Sequence, residues 1–172
     1  MIKNRIELAR YFAELGFKKG AEIGVLGGYY SHVLLETIPD LNLLSIDPWS
    51  KYARVYPDAV KLLSPYPNST ILRATSLDVV KMITDESLDF VYIDGDHHYE
   101  PSKNDIKEWT KKVRMGGIVA GDDYLVGQKS AGVVLAIDEY AKINNLLLIN
   151  TPWDDNNPVF NDKNPQWYFV KK

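Results

Sequence analysis

Two short stretches hold most of the side chains that could do chemistry. YIDGDHHYE, residues 92–100, places two aspartates and two histidines directly after an apolar run. GGIVAGDD, residues 116–123, ends in an adjacent pair of aspartates. Carboxylates and imidazoles in such groups can hold a metal ion, supply a base or form a polar turn. The chemistry depends on which of them the fold brings together.

Asp94, Asp122 and Asp123 end two apolar runs that we predict to be neighbouring strands. Adjacent strands lie about 4.8 Å apart, so their ends can bring the three carboxylates together. Three close carboxylates repel one another unless a cation is present, and Mg²⁺ is the hard, oxygen-binding ion that suits them. The alternative, that these aspartates accept backbone hydrogen bonds in their loops, stays open.

His97 and His98 follow the first of these strands. A neutral imidazole near a metal ion could accept a proton from a substrate. Adjacent side chains cannot both face one site, so we assign His97 as the candidate base and His98 to packing or solvent. Asp96 is assigned to the turn. Asp94 and His97 are therefore the candidate catalytic residues.

A glycine-rich turn, EIGVLGGYYS (22–31), follows an earlier strand. Gly24, Gly27 and Gly28 permit a tight turn and close approach of the backbone to a ligand. The spacing differs from G-x-G-x-x-G, which disfavours pyrophosphate, and Glu22 inside the strand would prefer a cationic ligand group. The alternative is a plain strand-to-helix turn.

Two further strand ends carry polar residues. Asp47 lies about twenty residues beyond the glycine turn, where an acid can accept hydrogen bonds from both hydroxyls of a ribose. The alternative is that Asp47 closes the turn before Pro48; the glycine turn upstream favours ribose binding. Ser76 either caps the following helix or lies near a nucleoside base.

These positions require an α/β architecture, and the hydrophobic pattern predicts one. Predicted strands cover residues 21–25, 41–47, 69–74, 88–94, 116–123, 146–150 and 166–171. Predicted helices cover residues 5–15, 31–38, 76–83, 101–113 and 131–143, and residues 51–66 form a weaker helical region that proline interrupts. The alternation of apolar strands with helices predicts a mostly parallel sheet that is covered on both faces. The last two strands have no helix between them, so we expect the final strand to be antiparallel.

Composition limits the class of protein. The chain has 172 residues, net charge −3 and no cysteine, which excludes disulfides and thiolate metal sites and gives no reason to expect nucleic acid as partner. Neither a signal peptide nor an apolar run of membrane-spanning length is present, so we expect a cytoplasmic protein with no membrane partner. One domain, 1–172, is expected, with residues 1–19 forming an N-terminal helical segment packed on it.

The segments AEIGVLGGYYS, FVYIDGDHHYEPSKNDIKEW and GGIVAGDDY together resemble the class I S-adenosylmethionine-dependent methyltransferases. The resemblance spans roughly residues 20–124 and is strongest to the macrocin O-methyltransferase-like and cephalosporin hydroxylase-like proteins. It implies a Rossmann-like, doubly wound sheet of seven strands in the order 3-2-1-4-5-7-6, with strand seven antiparallel.

The resemblance also implies a function and the residues that serve it. Cofactor-binding residues would be those around the methionine portion, the ribose and the adenine of S-adenosylmethionine: Glu22, Gly24, Gly28, Ser31, Asp47, Ser76 and Asp94. Metal-using members resemble catechol O-methyltransferase, and their pattern of Mg²⁺ ligands matches Asp94, Asp122 and Asp123. The implied activity is Mg²⁺-assisted O-methylation of a small molecule or sugar.

The sequence also suggests which partners the protein binds and which other functions it could have. Trp49, Tyr124 and the loop around Trp153 are expected to contact a small-molecule methyl acceptor, and an exposed aromatic edge could support a homodimer. The rivals are an NAD-dependent oxidoreductase, which the glycine spacing disfavours, and a binding domain of this fold without catalysis, which the clustered acids disfavour.

Overall fold

The computed structural model describes residues 2–126, 131–153, 155 and 163–172. Its strands are β1 Lys19–Ile23, β2 Asn42–Ile46, β3 Ser69–Leu72, β4 Leu88–Ile93, β5 Val113–Gly121, β6 Ile149–Asn150 and β7 Trp167–Val170. Its α-helices are α1 Arg5–Glu14, α2 Tyr29–Thr37, α3 Tyr56–Leu63, α4 Ser76–Val79, α5 Tyr99–Lys112 and α6 Ala131–Ile143.

The strands form a seven-stranded sheet in the order β3-β2-β1-β4-β5-β7-β6. The first five strands pair in parallel, and β7 pairs antiparallel with both β5 and β6. This confirms the predicted order and the antiparallel final strand. No helix among the described residues is long and apolar enough to cross a membrane.

Helices cover both faces of the sheet, as the continuous apolar strands predict. One face packs Val91, Ile106 and Trp109 into a buried cluster, with α5 and α6 against each other. The other face packs Phe12 of α1 and Leu34 of α2. The N-terminal helix therefore packs on the sheet. Asn4 begins it by accepting a hydrogen bond from the Glu7 amide at 3.0 Å.

Several predicted boundaries are wrong. The region 51–66 is a 3-10 turn, Ala53–Val55, followed by α3, and the helix predicted at 76–83 divides into α4 and a 3-10 turn, Val80–Met82. Pro57 lies in the first turn of α3, a position that suits the start of a helix, so α3 begins at Tyr56 and not at residue 51. The predicted strand 146–150 shortens to the two residues of β6.

The Gly-Gly pair at 116–117 does not open β5 but lies inside it. The register between β4 and β5 shifts between Leu88 and Phe90, opposite this pair. Gly116 has φ +76°, and a β-carbon on Gly117 would lie 2.4 Å from the Asp89 carbonyl oxygen. Glycine thus permits an irregularity within the strand, where a sequence pattern suggests a turn.

Parallel pairing brings the carboxyl ends of β1, β2, β4 and β5 to one edge of the sheet. The residue after each strand still bonds to its neighbour: the amides of Gly24, Asp47, Asp94 and Asp122 donate to carbonyls of Ile46, Leu72, Ile23 and Ile93 at 2.7–3.2 Å. The backbone of the predicted site is therefore an extension of the sheet.

Candidate active site

A cavity of about 590 Å³ opens at this edge of the sheet. Five of the predicted site residues line it: Gly24, Asp47, Ser76, Asp94 and His97. Glu22, Gly28, Ser31, Asp122 and Asp123 are absent from its lining. The site therefore divides into groups that face the cavity and groups that support them.

Gly24 lines the cavity directly after β1. Its φ is +87°, and a β-carbon there would lie 1.9 Å from the carbonyl oxygen of Asp94. Gly28 begins α2 with φ +83°, and a β-carbon there would lie 3.2 Å from the Cα of Ala59. Gly27 has nothing within 4 Å of such an atom. The turn thus needs glycine at positions 24 and 28 for geometry, and not at 27.

Asp47 closes the turn. Its Oδ2 accepts hydrogen bonds from the amides of Val25 at 3.0 Å and Leu26 at 2.9 Å, and its Oδ1 accepts one from Trp49 at 2.6 Å. The turn-closing alternative is therefore present in the structure. A carboxylate has about four lone-pair sites, so capacity for a ribose hydroxyl remains on the side that lines the cavity. Its role in ribose binding stays a prediction.

Glu22 lies inside the fold rather than in the cavity. Its side chain is buried and accepts a short hydrogen bond from the Ser31 hydroxyl, which also lies 2.7 Å from the hydroxyl of Ser45. Burial raises the pKa of Glu22 to about 8, against the hydrogen bond from Ser31, which lowers it. At neutral pH the carboxyl is mostly neutral, so it offers a cationic ligand little charge until that ligand arrives.

Replacing Glu22 with glutamine is expected to change how stability depends on pH. The folded chain keeps a proton on Glu22 between pH 4.5 and about 8, where the unfolded chain has lost it. The free energy of unfolding therefore falls as pH rises through this window, by at most about 1.4 kcal/mol per pH unit. Glu22→Gln has no such proton to lose. Urea unfolding at pH 5, 6.5 and 8 should show the variant gaining on the wild type as pH rises, whereas exposed Glu100→Gln should not. A constant difference between wild type and Glu22→Gln would contradict the assignment.

Ser76 is the first residue of α4 but does not cap it. The cap is Thr75, whose side chain accepts a hydrogen bond from the Asp78 amide, so the capping alternative for Ser76 is wrong. The Ser76 hydroxyl instead donates a short hydrogen bond to Oδ1 of Asp105, on α5. Asp105 is not among the predicted site residues, yet it is buried and lines the cavity.

Three ligand atoms lie close together at the ends of β4 and β5. Asp94, His97 and Asp123 each offer one, and these atoms are all within 4.8 Å of one another. The His97 Nε2 is 3.0 Å from Oδ2 of Asp123 and 3.8 Å from Oδ1 of Asp94. Asn164 donates to the other oxygen of Asp123 at 2.5 Å. The cluster joins both strands, as the sequence predicts, but it includes a histidine.

Asp122 points elsewhere. Its Oδ1 accepts hydrogen bonds from the Asp123 amide at 2.8 Å and from the buried Gln166 side chain at 3.2 Å. Its Oδ2 is 3.6 Å from Nη1 of Arg5, which is also 3.6 Å from Oδ2 of Asp94. Arg5, on α1, lies over the ring of Tyr30 at 5.3 Å. A cation from the N-terminal helix thus lies between two of the three predicted metal ligands.

The charge state of His97 bears on its predicted role. Hydrogen bonds to Asp123 and Asp94 raise the pKa of His97 to about 10. Burial favours the neutral form of Asp123, but the hydrogen bond from His97 and its charge outweigh burial and lower the pKa of Asp123. Burial raises the pKa of Asp94. A protonated imidazole cannot accept a proton, so His97 can act as a base only when these carboxylates are neutralised by another cation. The other histidine, His98, is exposed, and its Nδ1 lies 2.5 Å from Oδ1 of Asp96.

The residues expected to contact an acceptor differ in exposure. Trp49 is 1% exposed, and its indole donates to the Leu26 carbonyl at 2.7 Å, so it braces the cavity wall. Tyr124 donates to Asp138 at 2.8 Å, and Trp153 is half exposed. Much of the loop that follows Trp153 lies outside the described residues, so its contacts stay a prediction.

Known sequences match the part of the chain that carries most of this site. A family model for a methyltransferase domain matches residues 21–124, the span from β1 to the residue after the aspartate pair. A mimivirus protein, Uncharacterized protein R132 of Acanthamoeba polyphaga mimivirus, is 29% identical over 125 residues. The match covers 69% of this chain and 57% of that protein, so the chain spans little more than half the length of this relative.

Solved structures share the fold. An O-methyltransferase from Bacillus cereus in complex with S-adenosylhomocysteine has a TM-score of 0.74 at 17% identity, covering 97% of this chain and 80% of that one. The O-methyltransferase TomG from Streptomyces achromogenes, in complex with S-adenosylmethionine, has a TM-score of 0.70 at 18% identity, covering 98% and 80%. At these identities the similarity concerns the fold alone.

Proposed function

Because the chain belongs to the methyltransferase-domain family, within the class I S-adenosylmethionine-dependent methyltransferases, we propose that it transfers a methyl group from this cofactor to a hydroxyl of a small molecule or sugar. The observation that carries the proposal is the cavity at the carboxyl ends of the strands, where the Gly24 turn, Asp47 and Asp94 meet. Ligands of open α/β sheets bind at this edge.

Each of these groups suits one part of the cofactor. Asp47 can accept a ribose hydroxyl, and the bare backbone at Gly24 lets the chain of the methionine portion pass close to the sheet. Asp94 can accept from the cofactor's ammonium group. A cation there also favours the charged form of Glu22, which lies just behind Gly24 in β1. These residues orient the sulfonium, and orientation supplies much of the rate gain in a displacement of this kind.

In the reaction, the carbon–sulfur bond breaks as the acceptor oxygen bonds to the methyl carbon, and the cofactor leaves as a neutral thioether. The acceptor hydroxyl must lose its proton. His97 faces the cavity and is the residue proposed to take it. That role requires neutral imidazole, and hence a cation other than His97 near Asp94 and Asp123.

A divalent ion could be bound here by either of two sets of side chains. Asp94, His97 and Asp123 form a mixed oxygen and nitrogen set, which suits Mn²⁺, Fe²⁺ or Zn²⁺ as well as it suits Mg²⁺. An all-oxygen set needs Asp122 to turn away from Arg5 and Gln166. When bound, such an ion would make a coordinated hydroxyl more acidic. We therefore propose metal assistance, with Asp94 and Asp123 as the carboxylate ligands. His97 would act as the base only where its Nε2 is not itself bound to the ion.

The acceptor is proposed to be a small molecule rather than a macromolecule. Net charge −3 gives no electrostatic steering toward a nucleic acid. The cavity of about 590 Å³ lies in the range of small-ligand sites, and the cofactor would occupy part of it. Lys51 and Tyr52 at its mouth offer a cation and an exposed ring. A second copy of the chain remains a proposed partner on the strength of the sequence alone.

Calorimetry with S-adenosylhomocysteine tests the cofactor. We expect binding with a Kd in the micromolar range and no binding of NAD under the same conditions, because no described loop has the spacing of a pyrophosphate-binding turn. Absence of S-adenosylhomocysteine binding at high micromolar concentration would contradict the proposal. A panel of hydroxylated compounds, scored by release of S-adenosylhomocysteine with and without chelator, then tests the acceptor class.

A further inference from the structure

Among the described residues that line the cavity, Asp105 is the one acid that has no role in the predicted site or in the proposed reaction. It lies on the buried face of α5 and is 6% exposed, yet it borders the cavity. Its Oδ1 accepts the Ser76 hydroxyl, the contact that joins α5 to the start of α4. Among the described residues, no hydrogen bond reaches Oδ2.

The oxygen without a hydrogen bond lies near Gly95, which also lines the cavity. A β-carbon placed on Gly95, which follows the end of β4, would be 3.6 Å from Oδ2 of Asp105, so this oxygen lies beside the Gly95 backbone. Burial raises the pKa of Asp105 to about 6, and the negative charge of nearby Asp96 adds to this rise. Above neutral pH the carboxyl is therefore mostly an anion with one oxygen unpaired, which a ligand donor would stabilise.

The position of Asp105 indicates which part of a ligand it meets. Asp47, the candidate ribose residue, follows β2. Ser76 follows β3, which pairs with β2 and is the outermost strand on that side of the sheet. Beyond Asp47, the cavity continues between α4 and the start of α5. Leu77 and Pro101 line it there, and these side chains could flank a flat ring. A base attached to the ribose would enter this space with its far edge toward Asp105.

We propose that Asp105 accepts a hydrogen bond from the exocyclic 6-amino group of adenine and so makes the site specific for a 6-aminopurine cofactor. The proposal rests on the proposed function, because it requires an adenosine-containing cofactor in this cavity. A 6-oxopurine would place a carbonyl oxygen against the carboxylate, where two acceptors repel and neither is paired. Asp105 is in this sense a specificity-determining residue.

The test compares two ligands that differ at one position of the base, S-adenosylhomocysteine and S-inosylhomocysteine. Calorimetry at pH 8 should show that the wild type binds the adenine compound at least about tenfold more tightly, since a hydrogen bond to a charged group is exchanged for a repulsion. Asp105→Asn should reduce the ratio to within about threefold, because an amide can donate to the 6-oxo group. Equal affinities in the wild type, or an unchanged ratio in Asp105→Asn, would overturn the proposal.

Two control variants separate recognition from structure. Ser76→Ala removes the partner of Oδ1 but keeps the carboxylate, so the preference for adenine should persist. Asp96→Asn removes the neighbouring charge and should leave the ratio unchanged; a collapsed ratio there would assign the effect to general electrostatics and overturn the role of Asp105. If the wild type binds neither ligand, the proposed function itself fails. The wild-type ratio keeps the proposal testable even if Asp105→Asn does not fold.

Discussion

Replacing Gly24 with alanine is expected to abolish S-adenosylhomocysteine binding and to lower the free energy of unfolding by at least about 2 kcal/mol. The residue has φ +87°, a conformation that costs any side chain, and the new methyl group would lie 1.9 Å from the Asp94 carbonyl oxygen and 2.9 Å from the Gly95 amide nitrogen. Real carbon and oxygen atoms do not approach so closely, so one strand end must move.

The obstructing carbonyl has little freedom to move. The Asp94 amide donates to Ile23 at 2.7 Å, and Gly24 itself donates to Ile46 at 2.9 Å, which ties the turn to both neighbouring strands. Relief of the clash would separate β1 from β4 at their carboxyl ends. It would also displace Asp94, so the loss should reach both the cofactor and any metal ion.

Gly27→Ala is the matched control, three residues away in the same turn. Nothing lies within 4 Å of its added methyl group, and its backbone is not left-handed. Its stability should stay within about 1 kcal/mol of the wild type, and its Kd for S-adenosylhomocysteine should change little. Denaturant unfolding and calorimetry measure both quantities. Wild-type affinity in Gly24→Ala would show that the turn does not form the cofactor site.

The positions of residues at strand ends could be predicted from the sequence for a simple physical reason. A parallel sheet must place the carboxyl ends of its strands at one edge, so a residue directly after an apolar run has a known position once the strand order is known. Gly24, Asp47 and Asp94 were predicted in this way, and all three line the cavity. Strand order itself followed from the family resemblance, because periodicity alone does not determine it.

Side-chain direction at the strand ends was less predictable. Neighbouring residues in an extended chain point to opposite sides, which separates His97 from His98 and holds for the aspartate pair as well. Asp122 in fact turns toward Arg5, whereas Asp123, with φ +62°, turns toward His97. The hydrophobic pattern of a sequence does not indicate that an aspartate after a strand will adopt a left-handed backbone conformation.

Supporting residues from distant segments were the hardest to predict. Asp105 carried a usable signal, because it lies four residues before buried Trp109 and next to Ile106, on the apolar face of α5. A carboxylate at such a position needs a partner or a ligand. Arg5 carried no comparable signal: α1 has several charged residues, and its partners Asp94 and Asp122 lie far along the chain.

Replacing Asp123 with asparagine is the second change with a large expected effect. It removes a carboxylate that lies 3.0 Å from His97 and belongs to the cluster with Asp94. Loss of one charged ligand should weaken Mn²⁺ or Mg²⁺ binding by roughly a hundredfold. Lewis-acid assistance contributes several kcal/mol, so methyl transfer to any hydroxyl compound found in the panel should fall at least about a hundredfold. S-adenosylhomocysteine affinity should change little, because Asp123 does not line the cavity.

Two further variants decide which carboxylates form the metal site. Asp96→Asn alters an exposed acid whose carboxylate, among the described residues, contacts the backbone amide and the ring of His98. It should leave metal affinity unchanged. Asp122→Asn should weaken the metal less than Asp123→Asn, because its carboxylate is directed to Gln166 and Arg5; the reverse order would favour the all-oxygen set that the family resemblance implies. Calorimetric titration with Mn²⁺, with melting temperatures to confirm folding, provides the comparison. Full transfer by Asp123→Asn in excess chelator would exclude metal assistance and would leave positioning of the sulfonium and the acceptor as the source of catalysis.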